Sequence, residues 1–258
     1  MQRKHVLPIL SVILLVALLL LSACSTSAPP PAPTDTNTPK PTATNTLVPS
    51  PTSTATRTPR PTATPNVAAT QRMSDWQAEA QTYFDKGYLK TSEGTFKEID
   101  DFSYEWAYLG YYDKMPIGVT ATDFFISGHF KWSSAYQNAD SSGCGYVFSL
   151  QKNDDHYAVF LDRSKVLFAI TSDGHGRLAG PTRGTGRVKF GNPAEADFTV
   201  IVKDSYAYAL VDGEVVGEYT LAQSRSLTGQ IGLTVLSGTN KEYGTRCEMT
   251  NLHVWRPN

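Results

Sequence analysis

The residues best suited to chemistry on a ligand are the aromatics of Tyr104-Glu105-Trp106-Ala107-Tyr108-Leu109-Gly110-Tyr111-Tyr112. On a β-strand, Tyr104, Trp106 and Tyr108 share one face. Rings in such a row can stack on a flat apolar surface, a sugar ring included, while the hydroxyls and Glu105 supply hydrogen bonds. Trp132 and Tyr136 are candidate neighbours of the row, and Trp255 reads as core. Core packing accounts for the same row, so two readings stand.

Other chemistry-bearing residues are scattered. His156, His175 and His253 never fall at metal-ligand spacing, and neither His-Glu-x-x-His nor Cys-x-x-Cys occurs, so zinc chemistry is not expected. Asp154 and Asp155 are candidate calcium ligands, because hard cations take clustered carboxylates and carbonyls. A solvated hairpin turn is the competing reading of that pair. The glycine-rich run from Gly174 to Gly186 carries Arg177 and Arg183 but is not followed by a helix, so it reads as an exposed connection rather than a phosphate cradle. No nucleophile elbow is visible.

Composition narrows the classes. A net charge of −1 with 18% charged residues gives no basic field, which excludes nucleic-acid binding as an expectation. The chain has 258 residues, and its first stretch, to about Asn66, is signal or low-complexity sequence. About 190 residues remain, enough for one core.

That first stretch opens with a short basic segment, Arg3-Lys4-His5, followed by an apolar run from Val6 to Leu21 interrupted by Pro8 and Ser11. It closes with Leu21-Ser22-Ala23-Cys24, which resembles the lipobox of bacterial lipoproteins at every position. The resemblance implies a signal peptide over 1–23, diacylglyceryl attachment at Cys24 and an outward-facing, membrane-anchored location in the cell envelope. The competing reading is an uncleaved transmembrane helix. With Cys24 taken by lipid, Cys144 and Cys247 remain as an even pair in an exported chain, and a disulfide between them is expected. Closing a loop of about 100 residues would contribute about 4–5 kcal/mol in the chain-entropy model. Two separate buried thiols are the alternative.

Residues 24–66 form the expected tether. Pro39-Lys40-Pro41-Thr42-Ala43-Thr44 recurs as Pro49-Ser50-Pro51-Thr52-Ser53-Thr54 and as Pro59-Arg60-Pro61-Thr62-Ala63-Thr64. Such a tract lacks the apolar residues needed to offset ordering entropy, and its prolines favour polyproline II, reaching about 120 Å over roughly 40 residues.

From residue 67 the pattern becomes globular. Val67 to Gly87 reads as a helix, with Met73, Trp76, Ala80, Tyr83 and Phe84 along one face and Gly87 as its stop. Over residues 88–258 the period is two, with strands expected at Tyr104–Tyr112, Asp123–Trp132, Gly145–Gln151, His156–Asp162, Val166–Thr171, Phe198–Lys203, Tyr206–Val211, Val215–Tyr219, Gln230–Leu236 and Thr245–Trp255. Asn153-Asp154-Asp155, Asp173-Gly174, Asp204-Ser205 and Asp212-Gly213 supply tight turns between them. The pattern predicts an all-β fold, a two-sheet antiparallel sandwich behind one N-terminal helix.

The hairpin Gly145-Tyr146-Val147-Phe148-Ser149-Leu150, Asn153-Asp154-Asp155, Tyr157-Ala158-Val159-Phe160-Leu161 resembles the central hairpin of concanavalin A-like lectin and glucanase jelly rolls. Phe198 to Val202, Ala209 to Glu214, Leu227 to Leu233 and Thr250 to Trp255 are similar to the laminin G-like and 3-keto-disaccharide hydrolase-like branches. Glucanases of this fold carry Glu-x-Asp-x-x-Glu on one strand; Glu98-Ile99-Asp100-Asp101-Phe102-Ser103 is the nearest match here and has serine in place of the last acid. The resemblance therefore implies a monomeric domain that binds glycan, cell-wall polymer or another extracellular ligand without catalysis. A hydrolase of the same fold, or a protein-interaction or wall-scaffolding module, is the alternative.

Overall fold

The computed structural model describes residues 67–136, 139, 141–163, 165–178, 183–184 and 193–258. Cys24, the lipobox and the proline-threonine repeats lie outside them, as does much of the glycine-rich run. The chain enters as one helix, α1 (Val67–Asp85). Its stop is a Schellman arrangement: Gly87 has φ of +78° and donates to the Phe84 carbonyl, while Tyr88 donates to that of Tyr83. Only Ala80 and Tyr83 of α1 are buried; Met73 and Phe84, expected on the packed face, are 47% and 41% exposed. No helix among the described residues is long and apolar enough to cross a membrane.

Strands follow: β1 (Gly94–Glu98), β2 (Phe102–Trp106), β3 (Tyr111–Ala121), β4 (Phe124–Ser134), β5 (Gly143–Leu150), β6 (His156–Asp162) and β7 (Lys165–Ser172). After these come β8 (His175–Leu178), β9 (Arg183–Gly184), β10 (Ala194–Lys203), β11 (Tyr206–Val211), β12 (Glu214–Thr220), β13 (Gly229–Ser237) and β14 (Thr245–Pro257). They form two antiparallel sheets, a β-sandwich. The first has the order β1-β14-β4-β10-β11-β12, with β2 also on β14. The long β14 serves both edge strands in succession: Thr245–Met249 pairs with β2, and His253–Pro257 with β1. The second sheet has the order β3-β13-β5-β6-β7-β8, with β9 also on β7.

The expected turns carry the conformation their residues tolerate. Asp173-Gly174 and Asp212-Gly213 both have positive φ throughout, and Asp154 and Asp204 do as well. One expected strand is corrected. Tyr104–Tyr112 is not one strand, because Gly110 (φ +77°) closes a turn in which Tyr111 N–H bonds to the Tyr108 carbonyl, ending β2 at Trp106 and starting β3 at Tyr111. The length of β3 was hidden by Pro116 and Gly118, which break the alternation. In the fold they sit at an irregularity of an edge strand, opposite the register shift between Ile231 and Gly232, where a missing N–H is tolerated.

Between the sheets lies the main core. Phe124, Ile126, Phe130 and Trp132 of β4, with Phe198 and Val200 of β10, meet Tyr146 and Phe148 of β5 and Tyr157, Val159 and Leu161 of β6. Cys144 on β5 and Cys247 on β14 are joined as a disulfide with Cα atoms 6.0 Å apart, so the bond staples one sheet to the other. Outside the first sheet, α1 and Leu89 cover Phe125, Ile201, Leu210 and Trp255.

Candidate functional site

The second sheet departs from an ordinary sandwich on its outer face. Along β6, Tyr157, Val159 and Leu161 point into the core, which leaves His156, Ala158, Phe160 and Asp162 pointing outward. An outer face is usually polar. Here Ala158 and Phe160 join Val147, Leu167, Ala169 and Leu236 in a second apolar cluster, so β5 and β6 are buried on both sides.

A cleft of about 380 Å³ opens above this floor, lined in part by Tyr111, Tyr112, Lys114, Phe160, Thr171 and Arg177. Tyr112 organises it. From β3 its ring reaches across the sheet, edge-on to Phe160 with centroids 5.1 Å apart. Its hydroxyl meets Nε2 of His156 at 2.7 Å and Oγ1 of Thr171 at 2.6 Å.

The direction of these bonds follows from His156. Its Nδ1 lies 2.6 Å from the Asp154 carbonyl, an acceptor, so Nδ1 carries the proton. Burial holds the imidazole below its usual range, and the nearby Lys114 and Arg225 charges act the same way, against the bond to Asp154. The neutral ring accepts at Nε2, Tyr112 donates to it, and Thr171 donates to the Tyr112 oxygen. One lone pair of that oxygen remains for a ligand. Burial also raises the proton affinity of the Tyr112 phenol, which keeps it protonated.

At the rim, Lys114 Nζ pairs with Asp154 Oδ2 at 2.8 Å. Asp155 accepts the Asp173 N–H at 2.9 Å and faces Arg225 at 3.4 Å. Both candidate calcium ligands thus have protein partners, and the described residues contain no cluster of three His, Cys, Asp or Glu side chains fit to hold a metal.

The rings of the aromatic row stay in contact, Tyr104 with Trp106 at 6.4 Å and Trp106 with Tyr108 at 6.1 Å between centroids, but differ in exposure. Tyr104 and Trp106 are half-buried against the core, Tyr104 donating to Asp113 at 2.7 Å and Trp106 Nε1 to the Tyr111 carbonyl at 3.0 Å. Tyr108 is 56% exposed and packs on Tyr111, 59% exposed, with centroids 4.5 Å apart. With Gly110, Tyr111 lines the cleft and forms its lip, and Tyr108 packs against Tyr111. Trp132 is buried between the sheets and offers no ring face to solvent, while Tyr136 is exposed under the Lys241 ammonium, 4.4 Å from its centroid. The nearest glucanase-like acids stand apart from the cleft: Glu98 ends β1, where it pairs with Arg72 of α1 at 3.4 Å.

Thr171 and Lys114 were not singled out in the sequence, Tyr112 stood there only as the end of the aromatic run, and His156 only as a histidine without metal-ligand spacing. Their signal was the unbroken apolar run Tyr157-Ala158-Val159-Phe160-Leu161, followed by Val166-Leu167-Phe168-Ala169-Ile170. Runs without alternation mark strands covered on both faces.

No family model matches the chain, and no curated protein matches it. Among solved structures it is similar to the carbohydrate-binding module CBM66 from Bacillus subtilis, at 11% identity over 61% of this chain and 92% of that one, with a TM-score of 0.43. It is similar to Bacillus licheniformis β-glucanase at 10% identity over 66% of this chain and 100% of that one, with a TM-score of 0.44. A third is Aspergillus kawachii β-fructofuranosidase complexed with glycerol, at 11% identity and a TM-score of 0.43, covering 66% of this chain but 28% of that one. The functional reading therefore rests on the cleft's own side chains.

Proposed function

We propose that the sandwich is a carbohydrate-binding domain whose ligand lies in the cleft of the second sheet, between the Tyr111 lip and the Tyr112–Thr171 pair. The observation that carries this reading is the pairing of an apolar floor with convergent polar groups in a cleft of about 380 Å³. Ligand sites combine those features at about 300–1,000 Å³. Sugars present both surfaces at once: apolar ring faces that stack on aromatics, and hydroxyls that donate to an oxygen such as that of Tyr112. The lipobox adds a location: the domain is displayed outward from a membrane through lipid on Cys24 and the tether of residues 24–66.

A second reading, a carbohydrate-active hydrolase using the same cleft, draws on the hydroxyl–imidazole pair of Tyr112 and His156, which is proton-transfer equipment. Against it, Asp154 is the one carboxylate among the described residues lining the cleft, and glycosidases of the common type use two. Incubating the full chain with a panel of glycans separates the readings. Retention of intact oligosaccharide supports binding, and release of shorter products supports hydrolysis.

A further inference from the structure

On the other sheet, a polar cluster is sealed beneath α1. His253 of β14 is 5% exposed, with Nδ1 3.1 Å from the Asn251 carbonyl and Nε2 2.7 Å from Oε2 of Glu79 on the helix. Both partners are acceptors, so both ring nitrogens donate, the geometry of the doubly protonated ring. Trp76, one turn before Glu79, stacks on the imidazole with centroids 4.6 Å apart at 16°, an arrangement that attracts a cation. The other Glu79 oxygen accepts from the Tyr83 hydroxyl at 2.8 Å. Tyr83 is itself 3.3 Å from Thr199, which bonds Ser127 at 2.8 Å.

The remaining neighbours do not substitute for this pair. Glu98 of β1 stands opposite His253 in register, but its carboxylate pairs with Arg72 at 3.4 Å. Asp197 of β10 is held by His129 at 2.8 Å, and Ser127 and Phe125 of β4 and Phe96 of β1 bring no charge. The apolar dock is thin, since Ala80 and Tyr83 are the buried residues of α1. The Glu79–His253 pair is thus the more buried of the two charge-assisted contacts between helix and sheet, the Arg72–Glu98 pair being exposed.

We propose that Glu79, His253 and Trp76 form a proton-gated latch that holds α1 on the sandwich. Its release frees the helix, and with it the point where residues 1–66 join the fold. The latch is closed while Glu79 is a carboxylate. Burial opposes the Glu79 charge, yet the His253 bond and charge hold the carboxyl below its usual range. A depressed carboxylate contributes stability that is present above its unfolded value and lost as pH falls through the folded one.

Hydrogen exchange of the full chain, followed by mass spectrometry from pH 4 to 9 and corrected for intrinsic rates, tests the latch. Peptides from α1 should lose about tenfold in protection toward the acid end, while β10 peptides stay protected. Tenfold corresponds to about 1.4 kcal/mol. Glu79→Gln should remove the acid loss and lower α1 protection throughout, and His253→Gln, which weakens the same contact, should lower it as well. The latch is overturned if α1 protection follows that of β10 at every pH, or if Glu79→Gln keeps the wild-type profile.

Discussion

Tyr112 on β3 places its hydroxyl 2.7 Å from Nε2 of His156 on β6, reaching over the two strands, β13 and β5, that separate them in the sheet. The contact holds the phenol above an apolar floor and aims its oxygen at the cleft. His156 itself is sealed beneath, with a fully buried side chain. It acts as a positioning group, and a ligand meets Tyr112.

The buried neutral imidazole makes the second sheet sensitive to acid. The proton affinity of His156 is depressed in the fold, so the unfolded chain binds the proton first as pH falls. Stability should be full above about pH 6.5, the ordinary histidine value, and decline below it toward the depressed folded value. Urea unfolding at pH 8 and pH 5.5 should show a larger loss in the wild type than in His156→Gln. Equal losses in both would mean that His156 does not titrate with folding.

The disulfide joins strands of different sheets, 103 residues apart in sequence, so its removal should act on the whole sandwich. Cys144→Ala should cost about 2–5 kcal/mol in urea unfolding. The same loss should follow in Cys247→Ala, with no further cost in the double variant, because either change removes the same bond.

Gly145 faces the strand β6 so closely that an added Cβ would fall inside the carbonyl of Val159 and 2.9 Å from Cα of Phe160. Gly145→Ala should force β5 from β6 and remove the cleft floor, at a cost of about 4 kcal/mol or more. Expression mainly as insoluble protein, or a midpoint shift of that size in urea, checks it; a wild-type midpoint contradicts it.

The lipobox makes a separate claim about residues before the fold. Cys24→Ala should leave the urea midpoint unchanged while moving the protein from the membrane pellet to the soluble fraction. Firm membrane attachment in that variant would show that the N-terminal run itself is the anchor.

Much of the sandwich could be read from the chain because its turns announce themselves. Asp173-Gly174 and Asp212-Gly213 adopt positive φ where the alternation stops, and β6 and β11 have the expected limits. Strands β1 and β3 were harder to see: β1 is an edge strand with three of its five residues exposed, and β3 carries Pro116 and Gly118 at its irregularity. The cleft was hidden for a different reason. Alternation shows which residues face inward, but it does not tell which outward side chain reaches across neighbouring strands, as Tyr112 does to His156 and Thr171. The aromatic row was legible as a run of touching rings, Tyr104 on Trp106 and Trp106 on Tyr108, whereas the turn at Gly110 that brings Tyr111 onto Tyr108 was not.

The most direct test of the central claim is calorimetric titration of the full chain with glycans that bind it on an array. Wild-type protein should bind. Tyr112→Phe, which removes the hydroxyl and keeps the ring, and Tyr111→Ala, which opens the lip, should each weaken affinity about tenfold, or about 1.4 kcal/mol. Tyr112→Phe should also cost about 1–3 kcal/mol of stability, because buried Nε2 of His156 loses its donor, and still leave the chain folded. Absence of glycan binding, or binding with unchanged affinity in both variants, would contradict a carbohydrate site in this cleft.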